Sequence, residues 1–110
     1  MIPKRSPAVA WRIEKPAHRK AWELARADEE FEDVGVLTLM VGQGIHQLNL
    51  VGAEIWSRTD GEKSLEAIAA EVAELFGWEP AETAEAVRAF LEGLASKGWV
   101  ILPGEGEAGP

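Results

Sequence analysis

The second half of this chain is its most constraining feature. From Ser64 to Lys97 apolar residues recur at helical spacing in two blocks, each with its own start and stop signals. In the first block Leu65, Ile68, Ala69, Val72, Leu75 and Phe76 keep to one face of a helix. Ser64 precedes them as a cap whose hydroxyl can accept an otherwise orphaned backbone N–H, and Gly77 ends the block. In the second block Pro80 suits the first helical turn, where its missing N–H costs nothing. Ala84, Val87, Leu91 and Leu94 form a stripe with Phe90 beside it, and Gly98 fits the position just past a helix end. Two amphipathic helices joined by Gly77-Trp78-Glu79 must bury their apolar faces, so this half folds into a core. Upstream, Asn49 can cap a further helix over Leu50–Thr59, which Asp60-Gly61 stops.

The first half reads differently. Ala8–Ile13 alternates Val9, Trp11 and Ile13 with smaller or polar residues, the pattern of a short strand, and Pro16 ends it. Residues 1–7 hold two prolines and are expected to be extended. Lys20–Ala27 suits a short helix, and Asp28–Asp33, five acids around Phe31, suits an exposed loop. Val34–Val41 is a buried strand by composition, Ile45–Leu48 is a second apolar run, and Gly42-Gln43-Gly44 between them makes a hairpin. The expected fold is α+β and winged-helix-like, a three-stranded antiparallel sheet followed by three helices. It forms one domain over 1–103 with a basic N-terminal arm, and residues 104–110 form a loose tail rich in Gly and Glu.

Several kinds of chemistry are excluded. The chain has no cysteine, hence no disulfide, thiolate nucleophile or cysteine metal site. Its two histidines, His18 and His46, lie in different elements with no ligand-type neighbour at metal spacing. The serines lack a nucleophile-elbow context. A lone Gly-x-Gly without a third glycine or a P-loop lysine is a turn and not a nucleotide loop. No catalytic residue, metal or cofactor is therefore expected. No apolar run approaches the ~20 residues a bilayer demands, and the basic N-terminus lacks the apolar centre of a signal peptide, so a cytoplasmic protein without membrane contact is expected. The net charge is −8, but residues 1–20 carry six Lys/Arg against Glu14 alone, so the remainder is strongly acidic. That body repels phosphate backbones, which argues against nucleic acid. The same point weakens the rival reading of Ser64–Lys97 as a helix-turn-helix, because its second helix offers Glu82, Glu85 and Glu92 against Arg88 and Lys97.

One stretch is more specific. Leu48-Asn49-Leu50-Val51-Gly52-Ala53-Glu54-Ile55-Trp56 is followed by Asp60-Gly61, then by Leu65, Ile68, Ala69 and Phe76, then by Val87, Phe90-Leu91, Leu94 and Gly98-Trp99-Val100. In order and spacing this resembles the PqqD family, the peptide chaperones of pyrroloquinoline quinone biosynthesis, over about half the chain. The charged segment Glu14–Val34 is longer than that family's usual first connection.

The resemblance implies a non-catalytic adaptor that binds the leader of a ribosomally made precursor peptide and presents it to a modifying enzyme, often a radical SAM protein. It also implies that the leader adds as a strand beside the third strand, in a groove walled by the third helix. Carried onto this chain, that places Gln43, Ile45, His46, Gln47 and Leu48 on the pairing strand. Ala84, Arg88, Leu91 and Ala95 share one face of the last helix, with Leu91 as an apolar anchor and Arg88 as a partner for an acid, while Thr83, Val87, Phe90 and Leu94 serve the core. Two alternatives stay open: a winged-helix regulator of transcription, and a scaffold or homodimer module that uses the same face. That face also has a third fate, coverage by the chain's own N-terminal segment.

Overall fold

The computed structural model describes residues 1–103, and the tail expected over 104–110 lies outside the described residues. The chain divides into two compact units. One is Pro7–Glu54, and the other joins Met1–Ser6 to the described residues from Ile55 onward. The elements are β1 (Lys4–Arg5), β2 (Ala10–Ile13), α1 (Lys15–Arg26), β3 (Leu37–Val41), β4 (Gly44–Leu48), α2 (Leu50–Arg58), α3 (Leu65–Phe76), α4 (Pro80–Ser96) and β5 (Val100–Ile101).

Within Pro7–Glu54, β2, β3 and β4 form the expected three-stranded antiparallel sheet in the order β2-β3-β4. The hairpin closes at Val41↔Gly44. Gly42 takes φ +58 and Gln43 does not have positive φ, which matches a two-residue turn that needs the left-handed region only at its first central residue. Val36, Leu37 and Leu39 are fully buried. The structure departs from the sequence reading in α1, which runs for 12 residues from Lys15. Pro16 stands in its first turn, so the proline that ends β2 also opens a helix. The described residues thus contain four helices, one of them between β2 and β3. Asn49 caps α2 as expected, its Oδ1 accepting from the Gly52 N–H at 3.0 Å.

In the other unit α3 packs against α4. Ser64 caps α3 by accepting from the Ala67 N–H at 3.0 Å, and Gly77 ends it at φ +71. Glu79 caps α4 through its carboxylate, which accepts from the Glu82 N–H at 2.8 Å, and Pro80 follows at once. The buried side chains here include Ile68, Val72, Val87 and Leu91, with Trp56 at 0% exposure.

The N-terminal arm is tied down along its first six residues, unlike a solvated segment. β1 pairs antiparallel with β5, Lys4 opposite Ile101 and Arg5 opposite Val100. The Leu65 N–H donates to the Met1 carbonyl, and the Gly61 N–H to the Pro3 carbonyl. The Arg5 guanidinium donates to the carbonyls of Trp56 (3.0 Å) and Ser57 (3.2 Å), where a cation complements the negative end of α2.

Candidate functional site

β4 is an edge strand, because β3 lies on one side of it and no described strand lies on the other. In an antiparallel ladder closed by a two-residue turn, bonded and non-bonded pairs alternate from the closing pair. With Val41↔Gly44 as that pair, His46 and Leu48 direct their backbone groups to β3. Ile45 and Gln47 turn theirs to the open edge. Such an edge is a template for another extended chain. Gln43, Ile45, His46 and Gln47 are all exposed, Ile45 at 72%, while Leu48 is half-buried. A methyl group on Gly35 would overlap the Gln47 side-chain amide, so glycine at that position lets Gln47 lie against the backbone.

Cross-strand register sorts the side chains by face. Ile13, Leu37 and Leu48 lie side by side on one face, and so do Trp11, Leu39 and His46. The opposite face carries Arg12, Thr38 and Gln47, then Ala10, Met40 and Ile45. A chain of polar contacts crosses that second face. The Gln47 amide approaches the Thr38 hydroxyl at 3.5 Å, Thr38 donates to Glu14 at 2.6 Å, and Arg12 Nε donates to Glu14 at 2.8 Å. The Thr38 hydroxyl bond, and secondarily the Arg12 bond, holds the Glu14 carboxyl below the ordinary carboxylate range.

The helix residues divide. On α4, Arg88 is exposed and Ala84 and Ala95 are half-buried. Leu91 is 0% exposed, so it offers no surface to an incoming chain and belongs with the buried residues Thr83, Val87 and Leu94. The expectation that Leu91 anchors a ligand is revised for that reason. Phe90, expected in the core, is half-buried. His18 lies elsewhere, with Nε2 3.5 Å from Glu54 Oε2. Among the described residues no three His, Cys, Asp or Glu side chains gather as a metal site would require, and no helix is long and apolar enough to cross a membrane. Trp78, in the Gly77-Trp78-Glu79 connection, carries no sequence pattern that marks it as functional. That side chain is 42% exposed.

An antiparallel sheet with an exposed edge strand in one unit and packed helices in the other make an α+β fold. The family model for Coenzyme PQQ synthesis protein D (PqqD) matches residues 35–100, from just before β3 to the start of β5. The chain belongs to the PqqD family. Among solved structures it is similar to the PqqD truncation of Methylobacterium extorquens PqqCD. That protein is described as a functional and stand-alone recognition element for ribosomally synthesized and post-translationally modified peptides. The match has a TM-score of 0.62 and 16% identity, and it covers 91% of this chain and 88% of that one. At that identity it shows the fold. No curated protein matches the chain.

Proposed function

We propose that this protein is a peptide-binding adaptor. It captures the leader segment of a ribosomally made precursor peptide as an added strand on β4 and delivers the peptide to a modifying enzyme, of which a radical SAM protein is the favoured kind. The observation that carries this reading is the open edge of β4 with Ile45, His46 and Gln47 exposed along it. Strand addition draws affinity from main-chain hydrogen bonds and selectivity from alternate side chains. The outward backbone groups of Ile45 and Gln47 supply the first, and the Ile45 and Gln47 side chains supply the second. Family membership supports the reading independently. Within the helical unit, exposed Arg88 and half-buried Ala84 and Ala95 on α4 are further candidates for peptide contact. The exposed Glu82, Glu85 and Glu92 on the same helix count against duplex binding.

The test is a titration of the ¹⁵N-labelled protein with the leader of a short precursor peptide encoded beside it. Amide shifts centred on Gly44–Leu48 are expected, with Arg88 read separately. Shifts confined to other elements, or none at millimolar leader, would overturn the reading.

A further inference from the structure

The connection between α3 and α4 holds an aromatic side chain in place without covering it. Gly77 at φ +71 turns the chain, and the Trp78 N–H donates back to the Ala73 carbonyl at 2.9 Å, the wrap-around bond of a helix C-terminus closed by a left-handed residue. Glu79 then caps α4 and Pro80 starts it. Trp78 is therefore held between two capped helix ends. Its ring stacks on Phe76 with centroids 4.7 Å apart and planes 19° from parallel. Trp78 nevertheless stays 42% exposed. The indole borders two shallow hollows, one of about 420 Å³ lined with Ala70, Ala73 and Glu74, the other of about 280 Å³ lined with Glu82, Thr83 and Ala86.

The helix-capping geometry accounts for the backbone but not for a tryptophan, since a smaller apolar residue would close the turn as well. A rigid, half-exposed tryptophan between hollows has the form of an interface anchor, because its ordering cost is already met within the fold. The charges around it indicate what it meets. From Ser64 to Val87 the chain has six glutamates and no Lys or Arg. Glu71 is engaged by Lys63 and Arg58, and Glu79 caps α4. Glu74 and Glu82 are exposed and line the hollows beside Trp78, and Glu85 is exposed three residues further along α4.

We infer that the α3–α4 turn is a protein-docking surface anchored on Trp78, and that the partner face it fits carries an apolar side chain bordered by Lys and Arg. The inference rests on the adaptor reading, within which the partner is the peptide-modifying enzyme. The enzyme would thus be held by a patch whose residues are distinct from those of the β4 edge proposed for the leader. Acidic borders steer such a basic partner and raise its association rate at low salt.

The experiment measures binding of the full chain to the purified peptide-modifying enzyme encoded beside it, by calorimetry at two salt concentrations. Leader binding is followed in parallel through the amides of β4. Trp78→Ser is expected to weaken enzyme binding at least about 30-fold, the scale of an interface hot spot, and Trp78→Phe to restore part of it. The double variant Glu74→Lys, Glu82→Lys alters only exposed side chains, and because Glu82 complements the N-terminal end of α4 its melting temperature is recorded alongside to confirm a folded protein. It should weaken binding and abolish its decline with salt. Leader binding should be unchanged in all three variants. The inference is overturned if the wild-type chain does not bind the enzyme, or if Trp78→Ser and the charge reversal leave its affinity within about twofold. Enzyme binding that depends on Trp78 while the leader leaves β4 unshifted would uphold this surface and refute the leader reading instead.

Discussion

Replacing Leu91 with alanine separates two roles that the linear pattern of α4 leaves entangled. Leu91 shares a helical stripe with Arg88, so sequence spacing alone permits either a core residue or a ligand anchor. In the structure it is 0% exposed. Truncating a fully buried leucine removes its transfer free energy and leaves a cavity, a loss of about 2–5 kcal/mol. A chain of this size is stable by only about 5–15 kcal/mol, so the change consumes a large share of the total. It should lower the melting temperature by on the order of 10–20 °C. Urea unfolding followed by circular dichroism reads this as a lower midpoint with an unchanged slope. Arg88→Ala, on the exposed side, should shift stability by less than ~0.5 kcal/mol. Leader affinity of folded Leu91→Ala protein, measured well below its melting temperature, should stay near that of the wild type. A stability loss under about 1 kcal/mol together with a tenfold loss of leader affinity would refute the burial argument and return Leu91 to the ligand face.

Other perturbations read other parts of the structure. Ser64→Ala removes the acceptor of the Ala67 N–H and should cost about 1 kcal/mol, seen as a lower urea midpoint. Ile45→Pro deletes a backbone donor that faces the open edge and not β3. Calorimetry should show leader affinity reduced several-fold or more, since one net hydrogen bond is worth about 1 kcal/mol, while the fold survives as edge strands tolerate proline. The Glu71 carboxyl is held below its ordinary value of 4.5 by hydrogen bonds from Lys63 first and Arg58 second. A carboxyl lowered in the folded state contributes stability that is complete above the unfolded value and disappears as pH falls through the folded one. Glu71→Gln should therefore lower stability at neutral pH and flatten its decline below about pH 4.5, measured as urea midpoints across the acid range.

The features legible in the sequence are those whose causes lie a few residues apart. Ser64, Asn49 and Gly77 each meet their partner within one helical turn, so their caps follow from local chemistry alone. The hairpin at Gly42-Gln43 is equally local, and it placed β4 and hence the exposed residues of the candidate edge. The family resemblance rests on the same order of turns and apolar steps. Pro16 shows where local reading stops, because proline ends a strand and opens a helix with the same fixed φ, and only the chain beyond it selects which occurs. The pairing of β1 with β5 joins residues almost a full chain apart in two-residue strands too short to leave a periodic signal. Whether Leu91 or Arg88 faces solvent depends on which neighbours cover α4, and helical spacing alone does not set that boundary. The sequence by itself thus determined the hairpin, the helices α2 to α4 with their caps, and the charge of the surface. Tertiary structure decided that β2 and β4 are the outer strands of the sheet, which leucine is sealed from solvent, and that Trp78 is not, because pairing and burial depend on contacts between residues that no local pattern encodes.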